Sequence, residues 1–165
     1  VLHGRGGHAA TPHTRRLALR TAVVLGPERG GALDALSWLA RLGAGGPIAG
    51  GRQYVSWIHE RDFVRAVEFL VARDDLTGPV NLAAPNPLPQ REFMRGLRAA
   101  WGMPLALPAT RWMAEIGAFA LRSETELLLK SRRVVPTRLL DAGFSFEHPD
   151  WPRAACDLVR RLRGR

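Results

Sequence analysis

The 165-residue chain is poor in several residue types, and each shortage closes off a class of chemistry. Cys156 is its one cysteine, so an internal disulfide and a cysteine-based zinc site are both excluded. Tyr54 is its one tyrosine and Lys130 its one lysine, far apart in the chain. A Tyr-x-x-x-Lys pair, whose ammonium favours the phenolate so that the tyrosine exchanges a proton near neutral pH, cannot be assembled from them. No apolar run approaches the roughly 20 residues of a membrane span. A charged-then-apolar leader is missing too, and cytoplasmic residence is the expectation.

Other motifs are missing. No glycine-rich turn joins a strand to its helix, as a bound dinucleotide requires for its pyrophosphate. The glycines between Gly43 and Gly51 follow a helical pattern and lack the Lys-Ser/Thr ending of a phosphate loop. No Gly-x-Ser-x-Gly elbow occurs. Glu124 and Glu126 lie two apart, so a helix does not bring them face to face. Cys156 falls mid-helix, where a packed, inert thiol is expected. His3, His8 and His13 lie in a Gly-containing tail at five-residue spacing, which gathers no ligand set. No catalytic residue and no metal site is assigned.

What the chain has is arginine. Lys and Arg total 24 against 15 Asp and Glu, a formal charge of +9. Such an excess can attract nucleic acid. Without interleaved aromatics to stack bases, arginines on solvated helix faces are the simpler expectation. Hydrophobic residues make up 46% and charged residues 24%, which suits one globular domain with a real core.

Residues 1–16 carry neither helical nor strand periodicity and read as a poorly ordered N-terminal segment. Residues 17–25 are a nearly continuous apolar run, as in a parallel strand covered on both faces. Helices are predicted over 32–42, 61–72 and 90–101, and strands over 53–59 and 79–83. The helix over 61–72 should turn Phe63, Val64, Val67, Leu70 and Val71 inward. Gly102, Pro104 and Pro108 mark a joint. Beyond it, 109–165 reads as a small, mostly helical domain, with helices over 110–121, 124–131, 137–142 and 151–162 and a short extended piece at Val134-Val135. The fold class is α/β: residues 17–108 form an incomplete Rossmann-like, parallel-sheet portion, followed by that helical domain.

Four segments, LRTAVVLGPERGGAL, GGRQYVSWIHERDFVRAVEFLV, GPVNLAAPNPLPQREF and ELLLKSRRVVPTRLLDAGFSFEHPD, occur in one order. Together they resemble the C-terminal half of the atypical extended short-chain dehydrogenases, an NAD-dependent epimerase/dehydratase-like family that ends in a helical domain of unknown function. The resemblance covers about residues 17–162. It implies that Arg20, Thr21 and Gly26 pass beside the nicotinamide. Arg52, Ser56, Trp57 and His59 would line the substrate cleft, with Asp62 opening the next helix and Asn81 and Asn86 closing over the site. For His59 and Asp62, a helix cap and a substrate contact both remain open. NAD(P) is implied as the cofactor of an intact relative, and none is expected for this chain alone.

The resemblance departs in two places. Nucleotide-sugar epimerases carry Arg-Asp where this chain has Val55-Ser56, and valine cannot make the arginine's bidentate phosphate contact. Residues 1–16 do not resemble the family's helix at that place, as a truncated gene, a shifted frame or a cropped fragment would each explain. The leading expectation is a substrate-side portion, inactive alone and acting on an unknown small molecule. The alternatives are one half of a split protein, completed by a separate dinucleotide-binding chain, and a basic nucleic-acid-binding module.

Overall fold

The computed structural model describes residues 14–43, 46, 51–103 and 133–164. The helices expected over 110–121 and 124–131 lie outside the described residues, as do residues 1–13. The elements are β1 (Leu17–Thr21), β2 (Val23–Leu25), α1 (Ala32–Arg41), β3 (Tyr54–Val55), β4 (Trp57–His59), α2 (Glu60–Val71), β5 (Gly78–Leu82), β6 (Leu88–Pro89) and α3 (Gln90–Trp101), then α4 (Thr137–Asp141) and α5 (Trp151–Arg163). No helix among the described residues is long and apolar enough to cross a membrane.

The run expected as one strand over 17–25 divides at Ala22. β1 pairs in parallel with β5, Leu17 opposite Gly78 and Thr21 opposite Leu82. β2 pairs in parallel with β4, Val23 opposite Trp57. The change of partner passes through two bonds: the Ala22 N–H donates to the Leu82 carbonyl at 2.9 Å and the Val23 N–H to the Ser56 carbonyl at 3.4 Å. The strand expected over 53–59 divides likewise at Ser56, where β3 pairs antiparallel with β6. Two parallel strand pairs and one antiparallel pair, with helices packed on them in two cores, bear out the α/β class.

Alternation along the strands sorts side chains into two cores. Leu25, Val55 and Trp57 enter the first, with α1, α3 and α5. Ile58, Val80 and Leu82 enter the second, with α2, α4 and Phe144. In the first core the Trp151 ring stacks on Phe93 at 3.9 Å and meets Trp57 edge-on at 4.9 Å. Its indole N–H donates to the Phe93 carbonyl at 2.7 Å, which satisfies the polar atom that burial would otherwise leave costly.

α3 spans the residues its periodicity predicts and buries Phe93, Met94 and Leu97. Gly102 ends it with φ +78°, a left-handed cap favourable to glycine. α2 corrects the reading of its face. Val64 is 53% and Val71 69% exposed, while Asp62, Ala66 and Leu70 hold the buried line. Hydrophobicity alone favours the large apolar residues, but it is Asp62 that has partners inside. Cys156 corrects another expectation: it is exposed. α5 buries Trp151, Ala154, Ala155, Leu158 and Val159, and position 156 falls on the opposite face. The segment 133–136 has no regular structure. Within the N-terminal segment expected to be poorly ordered, Arg15 is tied down, donating to the carbonyls of Leu70 and Val71 at the end of α2 and of Leu76 beyond it.

Gly96 lies where α3 meets α5. A Cβ there would fall 2.8 Å from the Trp151 Nε1. Glycine to alanine inside a helix ordinarily stabilises by about 1 kcal/mol. Here the methyl must displace a stacked indole, so Gly96→Ala is expected to destabilise by about 1–3 kcal/mol in urea unfolding, as overpacking does. A stabilised Gly96→Ala protein would contradict this helix contact.

Candidate functional site

Parallel pairing brings the carboxyl ends of β1 and β5 to the same end of the sheet, the end at which open α/β sheets take their ligands. There the chain forks, β1 staying with β5 while β2 leaves with β4. A cavity of about 510 Å³ opens in the fork. Its lining comes from Arg20 to Val23, from Ser56 and Asn81, and from a last wall of Arg133, Val134 and Val135.

That last wall is strapped down by two hydrogen bonds. The buried Ser56 accepts at Oγ from the Val134 N–H at 2.8 Å. Asn81 donates from Nδ2 to the Val135 carbonyl at 3.4 Å. The Arg133 guanidinium lies over the Tyr54 ring, 5.2 Å from its centre. Among the described residues the cavity lining contains two arginines and no carboxylate, which favours a positive local potential.

Of the residues singled out in the sequence, the cavity gathers Arg20, Thr21, Ser56 and Asn81. The others lie outside its lining. Arg52 is exposed. Gly26 is hemmed in by acids, with no room for a Cβ against the carboxylates of Glu28 and Glu60. Asn86 donates to the Pro149 carbonyl and, at 3.0 Å, to Asp150, and so tethers the start of α5. Asp62 is fully buried and accepts from the N–H groups of Glu147 and His148, both at 2.8 Å, and from Arg65 at 3.2 Å. It clamps the loop before α5. His59 caps α2, its Nδ1 accepting from the Arg61 N–H at 3.1 Å. Arg133 was missed because its segment carries no periodicity to mark it.

His59 also heads a buried cluster. Its ring stacks on His148 at 3.8 Å, and its Nε2 lies 3.3 Å from an Asp157 carboxylate oxygen. Arg161 joins from α5, ion-paired to Glu60 and 3.8 Å from Asp157. The donor atoms of His59, His148 and Asp157 lie within 4.8 Å of one another, as a metal site would require. Protonation argues for a different use. Because His59 Nδ1 accepts a backbone N–H, its own proton sits on Nε2, facing Asp157. A metal bound at Nε2 would have to move that proton to Nδ1 and break the helix cap.

Burial first, and then His148, lower the His59 pKa from its ordinary 6.5 to about 4, against the pull of Asp157. The folded protein therefore binds this proton less readily than the unfolded chain does. Stability falls as pH drops through the window from 6.5 to about 4. The loss at the lower end is about 3 kcal/mol. Glu60 acts in the opposite sense: burial, then its hydrogen bond with Glu28, raises its pKa. The His59 contribution is therefore read by difference. Across that window, His59→Asn, which keeps a capping side chain, should lose less stability than the wild type in denaturant unfolding. Equal pH slopes would contradict the assignment.

Comparison with known proteins agrees with this geometry. Residues 110–158 match a family model described as a domain of unknown function, DUF1731. The chain is 41% identical over 136 residues to the epimerase family protein Mb2239 of Mycobacterium bovis, a match covering 81% of this chain and 44% of that protein. It is 35% identical over 149 residues to the epimerase family protein SDR39U1 of Mus musculus, covering 88% and 49%. The crystal structure of human SDR39U1 isoform 2 with NADPH superposes with a TM-score of 0.73 at 29% identity, covering 89% of this chain and 49% of that one. UDP-glucose 4-epimerase of Thermus thermophilus with NAD, 20% identical with a TM-score of 0.60, shares the fold. The chain thus spans about half the length of the curated relatives it matches. Its sequence and its fork of parallel strands place it in the epimerase/dehydratase-like family that carries a C-terminal DUF1731 domain.

Proposed function

We propose that these residues form the substrate-side half of an NAD(P)-dependent epimerase or oxidoreductase, completed by a dinucleotide-binding half that docks on the open edge of β1. One observation carries the reading. β1 is largely apolar, yet Ala18 to Thr21 are exposed and Leu19 is 42% exposed. Among the described residues β1 has β5 as its strand partner on one edge and none on the other. Parallel strands are normally buried on both faces, and a free apolar edge invites another strand. The NADPH-bound human relative, matched over 49% of its length, supports the same completion.

In the completed protein, Thr21 and Ala22 stand where the nicotinamide ring would lie, at the carboxyl end of β1. NAD(P) supplies the hydride chemistry when bound. Ser56, Asn81 and Arg20 face the substrate. His59, Asp62 and Asn86 hold α2, the loop and α5 in register, which fixes the far side of the cleft. Val55, where nucleotide-sugar epimerases carry a phosphate-gripping arginine, is buried in the first core. That favours a substrate other than a nucleotide sugar.

These 165 residues contain no glycine-rich dinucleotide turn and no Tyr-x-x-x-Lys pair, so the chain by itself is expected to be inactive. Titration of NADPH into the isolated chain should leave the nicotinamide fluorescence flat. Co-expression with the N-terminal half of the Mycobacterium bovis relative should yield a complex that enhances it saturably. Saturable enhancement with the isolated chain would contradict the proposal.

A further inference from the structure

Several of the described arginines are held in ion pairs. Arg65 pairs with Asp62 and Glu147, Arg73 with Asp75, Arg160 with Asp157 and Arg161 with Glu60. Arg20 and Arg133 both line the cavity at the strand fork, with no carboxylate among its other described lining residues. They reach it from opposite parts of the chain. Arg20 stands on β1, in register with Asn81 of β5. Arg133 falls within the matched DUF1731 segment, beside the backbone that Ser56 and Asn81 pin down. Its guanidinium lies over the Tyr54 ring at 5.2 Å. That contact holds the planar fork in place and lowers the entropy cost of ligand capture.

We propose that the strap Arg133–Val135 is what the DUF1731 segment contributes to the site, and that Arg133 with Arg20 selects a substrate bearing an oxyanion, a phosphate or a carboxylate. This deepens the function proposed above and rests on it for the word substrate. The chemistry follows from the lining. Two guanidiniums with no carboxylate among the described lining residues favour a local positive potential that a small anion neutralises. Threonine and asparagine side chains around them offer neutral hydrogen bonds, while Val134 and Val135 present an apolar side to the rest of the molecule. Ser56 acts here as a positioning residue: its Oγ holds the Val134 backbone and so sets the reach of Arg133.

The test is calorimetric titration of the full chain with inorganic phosphate and, separately, with malonate. At least one should bind saturably, with affinity falling as salt is added, and the tighter of the two identifies the oxyanion. Arg133→Gln should weaken binding at least about tenfold, Arg133→Lys less so because a charge remains without the fork. Ser56→Ala should weaken binding through the loosened strap, with the loss partly recovered in Ser56→Thr. Arg163→Gln, at a surface site over Trp101, should leave the affinity unchanged. Each variant is compared at an unchanged melting temperature, so that a fold defect is not read as lost binding. The inference is overturned if neither anion saturates, if Arg133→Gln binds like the wild type, or if Arg163→Gln weakens binding equally. Flat titrations beside successful reconstitution of NADPH binding would overturn this inference alone. Anion binding through Arg133 with no NADPH binding after reconstitution would instead overturn the function proposed above.

Discussion

A parallel strand with one partner among the described residues is the constraint on which the rest depends. Every strand residue other than proline carries a donor and an acceptor that need partners once buried. In β1, the Ala22 N–H donates to Leu82 and the Arg16 carbonyl accepts from Gly78, so the even-numbered residues turn their backbone groups toward β5. By the two-residue period of a strand, Leu17, Leu19 and Thr21 turn theirs outward. The side chains of Ala18 and Leu19 remain exposed as well. An edge that is apolar and unpaired is costly to leave open in water, and the sequence retains none of the charges or prolines that normally blunt such an edge until Arg20.

Everything distal to that edge is built tightly. Asp62, Trp151 and Asn86 each join the part of the fold before residue 103 to the part after residue 133. They do so by a carboxylate on two backbone N–H groups, a stacked indole on Phe93 and an amide on Asp150. Together these contacts hold the described portion of the DUF1731 match against the sheet, and in doing so they bring Arg133 to Val135 across the mouth of the fork. The candidate site is thus a product of long-range packing. Its walls come from residues separated by more than a hundred positions, Arg20 and Val135 being the extremes.

That separation explains what the sequence could and could not disclose. α3 was legible to the residue, because Phe93, Met94 and Leu97 repeat at helical spacing and Gly102 closes the last turn. The parallel character of the sheet was legible in the apolar run over 17–25, but its division at Ala22 was not, since nothing local distinguishes one partner from another. Asp62 looked like an acid suited to a helix dipole; its partners are backbone groups 85 and 86 residues away. Val64 and Val71 were placed inward on hydrophobicity, and Ala66 and Asp62 took those positions because the loop after Phe144 needed an anchor. His148 and Asp157 gave no periodic signal, and only the fold brings them to His59. Arg20, Thr21, Ser56 and Asn81 were found through resemblance, and the fork places them together.

Hydrogen exchange at the Leu19 amide tests the central claim most directly. In the isolated chain, Leu19 should exchange much faster than Arg20, its neighbour turned toward β5, because the outer edge has no partner. Addition of a dinucleotide-binding half with NADPH should slow Leu19 by at least about tenfold while leaving Arg20 little changed. A Leu19 amide already as protected as Arg20 in the isolated chain would mean that the edge is sealed from within, and the half-site account would be wrong.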